Sequence, residues 1–385
     1  MSKNISVGID IGTYHIRVAV SERTKENPTP KIIGKGYTES RGMRHGYIVN
    51  VSDVSRSLKR AMEQAEKTSG IKIKEAVISI GGVSLESIKS IGATMISRGD
   101  NEVTDLDVKN ATEASERALP KGSILNRKIL TSIPIVYKID GKEILGRPIG
   151  MKGVRFEVET LFVTCLEQHL NDLIQAVEDV GVRVQDVHAS PLVASLVTLT
   201  KSQKIAGCVL ANIGSETVSI VVFENDIPLS LKVFPVGANS ITHDIALGLQ
   251  VPLDEAEQIK LGGITGADYS RKKLEDIVVK RITDIFELIN AHLKEINKDG
   301  LLPAGIIITG GGSGIATVED IAKATLKLPS RIASLYFNGG NYIQDSTWAV
   351  CYGLCIIGHT GETGDFSAIN NTKNTLANWF KKFMP

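Results

Sequence analysis

The chain has 385 residues, more than one ordinary domain holds, so at least two hydrophobic cores are expected. Apolar residues make up 42% of it and charged residues 23%, which is typical of a globular rather than a disordered protein. The formal net charge is +1, so no whole-protein field favours nucleic acid as a partner. No stretch of the sequence reaches the roughly 18–20 apolar residues that a membrane span requires.

The start of the chain and its cysteines both favour a cytosolic protein. The sequence enters a strand pattern almost at once and lacks the apolar region that is typical of a secretory signal. The four cysteines include no C-x-x-C pair, which predicts reduced thiols. Cys351 and Cys355 are predicted to share one face of a buried helix, without the neighbouring ligands that a metal site needs.

The first predicted element is a β-hairpin at residues 7–20, VGIDIGTYHIRVAV. Two runs rich in β-branched residues flank a turn that contains Gly12. Such a turn brings backbone N–H groups together, and these groups can hold an anion.

A separate small α/β unit is predicted at residues 84–163. It contains strand patterns at residues 85–97, 128–138 and 155–163, and one helix near residues 105–119. Thr104 and Asp105 are start signals for this helix, and Pro120 is a stop signal. Periodicity alone assigns the unit no function.

A second copy of the first hairpin follows at residues 209–222, VLANIGSETVSIVV. Aligned without a gap, Asn212 matches Asp10 and Gly214 matches Gly12. A matched pair of anion-binding hairpins predicts two similar halves that face each other across a cleft. Two unrelated glycine hairpins are the alternative, and a third element makes that alternative less favoured.

This third element, residues 306–314, reads IIITGGGSG and predicts a buried strand, three glycines and then a helix from about residue 318. The order places backbone amides and a helix N-terminus where a nucleotide could bind. The spacing is not that of a P-loop, nor a clean G-x-G-x-x-G.

The end of the chain predicts a linker and a short amphipathic helix. Residues 359–374 are polar and typical of a flexible linker. In residues 375–385, TLANWFKKFMP, an apolar stripe at helical spacing is accompanied by two lysines: Leu376, Trp379, Phe380, Phe383, Lys381 and Lys382. Aromatic residues beside lysines favour an anionic membrane interface. A terminal helix packed on the protein's own core is the alternative.

Together these segments resemble the actin, sugar kinase and heat-shock chaperone ATPase superfamily. In detail they resemble FtsA, the bacterial cell-division actin homologue, over essentially the whole chain. The FtsA-like stretches are the inserted unit, the tail, IGKGYTESRGMRHGYIVN at 33–50, ISIGG at 78–82 and PVGANSITHDIALGLQVPLDEAEQIK at 235–260. The resemblance implies an α/β, actin-like (ribonuclease H-like) duplicated fold. Two lobes would surround a nucleotide cleft, with a small inserted α/β subdomain and a C-terminal amphipathic helix.

The resemblance also implies a division of the chain. The expected parts are a first lobe at 1–83 and 164–195, the inserted subdomain at 84–163, a second lobe core at 196–240 and 298–358, its helical subdomain at 241–297, the linker at 359–374 and the membrane-targeting helix at 375–385.

By the same resemblance, ATP or ADP with Mg²⁺ would bind in the cleft. Asp10 would hold Mg²⁺ through water, since Mg²⁺ prefers carboxylates and retains water. The implied nucleotide-binding residues are Gly12, Thr13, Tyr14 and Arg17 in the first loop, Asn212, Gly214, Ser215, Glu216 and Thr217 in the second, then Gly237, Glu257 and Lys260, and finally Gly310, Gly311 and Gly312. An outward strand residue is the alternative for Arg17. A surface ion pair is the alternative for Glu257 and Lys260.

One position departs from the family pattern. The second phosphate loop normally begins with aspartate, and this chain has Asn212 there. An amide accepts a hydrogen bond but brings no negative charge to the metal. Nucleotide binding should survive, whereas hydrolysis should be slow or negligible because it depends on the positions of metal and water. No catalytic residue is assigned, and an adaptor rather than an enzyme is expected.

The resemblance implies a polymer-forming division protein that anchors FtsZ filaments to the cytoplasmic face of the cell membrane at the division site. Implied partners are the FtsZ C-terminal peptide, with Arg281 as the expected contact, further copies of the chain, anionic lipids and other division proteins. Isolated helices below about 12–15 residues are marginal, so a lone tail should bind weakly and assembly should reinforce attachment.

Two other functions stay open at this point. A type IV pilus platform ATPase of the same fold would bind a partner's short peptide and would need no amphipathic tail. A sugar or metabolite kinase, the less favoured alternative, would need an aspartate base beside a sugar pocket.

Overall fold

The computed structural model describes residues 4–24, 30–263, 269–336, 342–343 and 345–360. Within these ranges no helix combines the length and the apolar character that crossing a bilayer requires. The predicted tail helix and nearly all of the predicted linker lie outside the described residues.

The first lobe begins with a β-meander and a helix: β1 (Asn4–Ile11), β2 (His15–Arg23), β3 (Lys31–Glu39), β4 (Met43–Arg44), β5 (Tyr47–Ile48), α1 (Val51–Ser69) and β6 (Glu75–Ile80). The helix α1 starts at Asn50, whose side chain accepts a hydrogen bond from the Asp53 N–H, and ends at Gly70 in the left-handed conformation. Gly36 of β3 packs so closely on α1 that a Cβ would overlap the Ala61 carbonyl.

An inserted α/β unit follows: β7 (Glu86–Met95), α2 (Asp105–Arg117), α3 (Lys121–Ile124), β8 (Arg127–Ile139), β9 (Lys142–Ile144) and β10 (Arg155–Leu166). Its sheet has the order β7-β10-β8-β9, and α2 packs on β7 and β10. Thr104 and Asp107 form a capping box at the start of α2. The three strands and the helix that the sequence predicts for this unit are confirmed.

The chain then returns to the first sheet and crosses to the second half: α4 (Glu167–Glu178), β11 (Arg183–Ala189), α5 (Ser190–Thr198) and α6 (Lys201–Ala206). The first sheet has the order β11-β6-β1-β2-β3, in which β1, β6 and β11 are parallel. Helix α5 contacts strands of both halves.

The second half contains β12 (Cys208–Ile213), β13 (Val218–Glu224), β14 (Ile227–Phe234), α7 (Ala238–Leu249), α8 (Leu253–Lys260), α9 (Arg271–Glu295), β15 (Ile306–Thr309), α10 (Val318–Leu326) and β16 (Ser330–Ile332). It ends with β17 (Leu335–Tyr336), β18 (Tyr342–Ile343) and α11 (Ala349–Thr360). Apolar residues of α7, α9 and α10 pack on one face of the second sheet and form a separate core there.

The second sheet repeats the first, with the order β14-β13-β12-β15-β16 and the same pattern of parallel and antiparallel neighbours. The registers agree as well, because Ile11 faces Ile16 in one hairpin and Ile213 faces Val218 in the other. The Gly12 N–H donates to the His15 carbonyl over 3.1 Å, and the Gly214 N–H donates to the Thr217 carbonyl over 2.9 Å. The duplication predicted from the sequence is therefore confirmed.

Packing differs from the expected division of the chain in one place. The sequence assigns residues 298–358 to the second lobe, but α11 packs on β1, β2 and β6 of the first sheet. The Cys351 Sγ lies 3.0 Å from the Gly8 carbonyl oxygen, and a Cβ on Gly8 would lie only 2.5 Å from the Cys351 carbonyl oxygen. Because α11 is apolar on all sides, it is stable only where a sheet and α5 enclose it. The predicted buried helix that carries Cys351 and Cys355 is confirmed.

His359, near the end of α11, is expected to make the fold less stable in acid. Its side chain is buried, with Nε2 2.9 Å from the Ser21 Oγ, and Arg23 donates to its carbonyl oxygen. Burial, and then the Arg23 charge, lower the pKa of His359 from 6.5 to about 4. The unfolded state therefore takes up the proton first as the pH falls. The free energy of unfolding should decrease by a few kcal/mol between pH 6.5 and about 4.

Denaturant unfolding at the two ends of this pH range measures the effect. The control is His359→Gln, which keeps a polar side chain but does not titrate. The variant should lose less stability than the parent over the range, and an equal loss would show that His359 is not the cause.

Candidate functional site

The turns of the two repeated hairpins meet a third turn, which belongs to the hairpin formed by β4 and β5. This element, the 43–48 hairpin, has His45 and Gly46 at its tip, both with positive φ angles of 49° and 80°. The Gly46 N–H donates to the Thr13 Oγ1 over 3.1 Å, and the His45 N–H donates to the Glu216 carboxylate. Both predicted phosphate loops are thereby brought to one place.

Asp10 is the last residue but one of β1 and is the carboxylate of the first copy. The Ser79 Oγ donates to the Asp10 Oδ1 over 2.8 Å, and Arg17 lies directly across the β1–β2 ladder. Burial raises the pKa of Asp10, while the Ser79 hydrogen bond and the Arg17 charge lower it. A carboxylate whose charge is poorly solvated in this way gains when a divalent cation binds nearby.

The surroundings of Asp10 suit a metal ion that is held mainly by water and a ligand. Among the described residues, no group of three or more histidine, cysteine or carboxylate side chains could hold a metal. Mg²⁺ is commonly bound through one or two carboxylates together with substrate phosphates and retained water. A single Asp10 fits this mode and does not fit an all-protein metal cage.

Arg17 lies on the face of the first sheet that also carries Asp10. Its guanidinium carbon is 5.9 Å from the centre of the ring of Trp348, the residue just before α11. In the second copy the matching pair is Asn212 and Ser219, which face each other across β12 and β13. The second half has therefore lost both charges of the Asp10–Arg17 pair.

The second turn is in direct contact with the start of α7. The N–H groups of Ala238 and Asn239 donate to the carbonyls of Gly214 and Ser215 over 2.9 and 2.8 Å. Gly237 permits this approach, because a Cβ there would lie 2.5 Å from the Ser215 carbonyl oxygen. A helix N-terminus thus lies beside the predicted phosphate loop, where its dipole favours anions.

The three glycines after β15 lie beside the same turn. Gly310 has a φ of 88°, and a Cβ there would overlap the Asn212 Oδ1. Gly312 packs closely on Ile213, whereas a Cβ on Gly311 would meet no atom within 4 Å. The loop is therefore fixed to the second copy through Gly310 and Gly312 and leaves open space at Gly311.

Glu257 and Lys260 form a partly buried network that joins α8 to α7. The Lys260 Nζ lies 2.6 Å from the Glu257 Oε2 and donates to the Thr242 Oγ1 over 2.8 Å. The Thr242 hydroxyl donates to the Glu257 carboxylate over 2.6 Å. The Lys260 side chain is only 9% exposed, so this is not an ordinary surface ion pair.

Arg281 lies on α9 and already has a partner within the chain. It donates two hydrogen bonds to the Asp244 carboxylate of α7, over 2.6 and 3.1 Å. These bonds raise the pKa of Arg281. The predicted membrane-contacting side chains lie outside the described residues: Leu376, Trp379, Phe380, Lys381, Lys382 and Phe383.

Sequence reasoning missed four residues that form hydrogen bonds with the predicted nucleotide-binding or metal-binding residues: His45, Gly46, Ser79 and Thr242. The stretches that contain them resemble the family, but no individual role could be assigned to them. Ser79 lies beside Asp10 because β6 runs parallel to β1, a pairing that the sequence alone did not specify. For Gly46 the sequence offered only a His-Gly pair, which is compatible with a tight turn.

Comparison with solved structures defines the class of protein. The chain resembles a chain of the PilM-PilN type IV pilus biogenesis complex with a TM-score of 0.68 and 14% identity, covering 92% of this chain and 99% of that one. It resembles MreB5 of Spiroplasma citri bound to ADP with a TM-score of 0.52 and 13% identity, covering 96% and 99%. Together with the duplicated sheets, these likenesses show a two-lobed actin-like fold.

Sequence comparison then identifies the family. The profile described as "Cell division protein FtsA" matches residues 209–353, and that of the "SHS2 domain inserted in FTSA" matches residues 82–164. The cell division protein FtsA of Borreliella burgdorferi is 30% identical over 99% of both chains. That of Pseudomonas aeruginosa is 29% identical over 93% of this chain and 90% of its own. The chain belongs to the FtsA family of cell division proteins.

Proposed function

We propose that this chain binds ATP or ADP with Mg²⁺ where its two repeated turns meet. The convergence of Thr13 and Glu216 on the tip of the 43–48 hairpin is the observation that supports this best. The first turn would contribute Gly12, Thr13 and Tyr14, and the second Gly214, Ser215 and Thr217. Backbone N–H groups would carry most of the binding to phosphate, as expected for glycine-containing turns.

Mg²⁺, when bound, would neutralise phosphate charge, and Asp10 would hold it through water. Gly310, Gly311 and Gly312 would enclose the adenosine beside the open space at Gly311. Lys260 and Glu257 of α8 would contact the adenosine. MreB5 of Spiroplasma citri, which shares the fold, has been solved bound to ADP and to AMPPNP, and this supports the proposal that the chain binds a nucleotide.

ATP turnover is proposed to be slow at most. Asn212 and Ser219 occupy the places that correspond to Asp10 and Arg17. At the position that corresponds to Asp10, the second copy therefore provides an amide and not a carboxylate to order the metal's water or the attacking water.

At the level of the cell, we infer a polymer-forming adaptor between FtsZ filaments and the cytoplasmic face of the membrane at the division site. Arg281 is the proposed contact for the FtsZ C-terminal peptide, and a carboxylate of the peptide would have to share or replace Asp244. Residues 375–385 would bind anionic lipids, and copies of the chain and other division proteins would bind elsewhere. The likeness to the PilM chain concerns the fold alone, and family membership disfavours a pilus role.

Replacement of Lys260 tests the nucleotide site. Lys260→Met is expected to reduce the affinity for Mg·ATP about tenfold or more, since a hydrogen bond from a charged group contributes roughly 1.5–3 kcal/mol. Calorimetric titration of ATP with Mg²⁺ measures the affinity. The matched control is Lys298→Met, which removes a lysine that follows α9 and pairs with Glu224 at the end of β13. An unchanged affinity in Lys260→Met would contradict the assignment of this lysine, and no binding by the parent would contradict the site as a whole.

A further inference from the structure

The root of the inserted subdomain, residues 82–87, is fixed to the tip of the 43–48 hairpin by a crossing of two glycines. Gly82 and Gly46 both have a φ of 80°, and a Cβ on either would collide with the backbone of the other. The Val83 N–H also donates to the His45 carbonyl over 3.3 Å. The two backbones touch with no side chain between them, so the root cannot translate relative to the tip without losing this contact.

A buried cluster beside the crossing holds the same root on the first lobe. The Ser84 Oγ lies 2.7 Å from the His169 Nδ1, and the Tyr47 ring lies 4.8 Å from the His169 ring. Arg127, at the start of β8, donates to the Ser84 carbonyl and so joins the root to the sheet of the inserted subdomain itself. Both Ser84 and His169 are buried, so this attachment is tightly packed.

A further attachment joins the root to the other lobe. The Ser87 Oγ accepts a hydrogen bond from the Leu231 N–H and donates one to the Leu231 carbonyl, each over 2.8 Å. Leu231 lies on β14, the edge strand of the second sheet. One serine side chain thus satisfies both backbone groups of a strand residue in the second lobe.

The root of the inserted subdomain is therefore in contact with both lobes, through the Gly46–Gly82 crossing on one side and the Ser87–Leu231 hydrogen bonds on the other. We propose that the inserted subdomain rotates about the Gly46–Gly82 crossing when the second lobe moves. The Ser87–Leu231 hydrogen bonds would transmit the movement of the second lobe to the subdomain. The proposal rests on the proposed nucleotide site, because a bound phosphate supplies the movement. An anion between the two turns competes with the Glu216 carboxylate for the His45 N–H, so the contact that joins the lobes at the tip changes with occupancy.

Spin labels on the inserted subdomain and the first lobe can detect the turn. Glu63 of α1 and Lys109 of α2 are exposed, and Glu63→Cys with Lys109→Cys provides the label sites. The four native cysteines are buried, so the labels should attach selectively. The distance distribution between the labels is measured by pulsed electron paramagnetic resonance on the full chain, with and without Mg·ATP. Three versions are compared: the parent, Ser87→Ala, and the control Ser90→Ala further along β7.

In the parent and in Ser90→Ala, Mg·ATP is expected to shift the label distance. In Ser87→Ala the shift should be largely lost, while the affinity for Mg·ATP, measured by calorimetry, stays within about twofold of the parent. An equal shift in Ser87→Ala, or ATP binding by the parent without any shift, would overturn the proposed rotation alone. A parent that fails to bind ATP in calorimetry would overturn both the proposed nucleotide site and the proposed rotation.

Discussion

Replacement of Asn212 with aspartate is expected to raise the steady-state rate of ATP hydrolysis by roughly two orders of magnitude, the lower end of the effect that one well-placed electrostatic group contributes. The substitution is nearly isosteric, so the close packing of Gly310 on this side chain should be kept. A carboxylate at this position supplies the negative charge that Asn212 lacks. It can then order the metal's water, which the amide does only as a neutral acceptor.

Phosphate release with saturating Mg·ATP measures this rate. Asn225→Asp is the matched control, because it makes the same chemical change at the β13–β14 turn, where Asn225 has a φ of 53°. The rate should increase in the first variant and not in the second. If Asn212→Asp binds Mg·ATP and still hydrolyses it as slowly as the parent, the missing charge is not the cause of slow turnover.

Deletion of residues 375–385 is expected to remove most binding to anionic vesicles, with at least a tenfold loss of the sedimenting fraction at low protein concentration. Each fully buried large apolar side chain contributes roughly 1.5–3 kcal/mol, and each lysine near an anionic surface contributes about 1 kcal/mol. Ordering so short a segment offsets much of this gain. Binding should therefore depend steeply on assembly, because many tails on one polymer act together.

Co-sedimentation with phosphatidylserine-containing vesicles measures the binding, with neutral phosphatidylcholine vesicles for comparison. The pair Lys381→Glu and Lys382→Glu should weaken binding to anionic vesicles and leave the apolar stripe unchanged. The deleted chain should still bind Mg·ATP with the parent's affinity. Full vesicle binding by the deleted chain would contradict the role of this segment.

The sequence was sufficient to predict the features that repeat. Residues 7–20 and 209–222 align without a gap, and their hairpins have the same register in the structure. The inserted unit was also predictable, because its strands and helix have clear periodicity and clear caps. Local patterns were enough to predict these elements one by one, since side-chain periodicity and caps are features of short stretches of chain.

The contacts that connect these elements were beyond sequence reasoning. The crossing of Gly46 and Gly82, and the packing of α11 on the first sheet, join segments that are distant along the chain. The sequence identified Arg281 as one charged residue on an amphipathic helix. Its pairing with Asp244 depends on how α9 lies against α7, which helical periodicity does not specify.

The central claim is that nucleotide binding, assembly and membrane attachment belong to one molecule, and electron microscopy of the purified chain on anionic lipid monolayers tests it most directly. With Mg·ATP the full chain should form filaments on the lipid. The chain without residues 375–385 should leave the lipid bare. Dispersed single molecules on the lipid in the presence of Mg·ATP, or filaments on the lipid that form equally well without residues 375–385, would contradict this account.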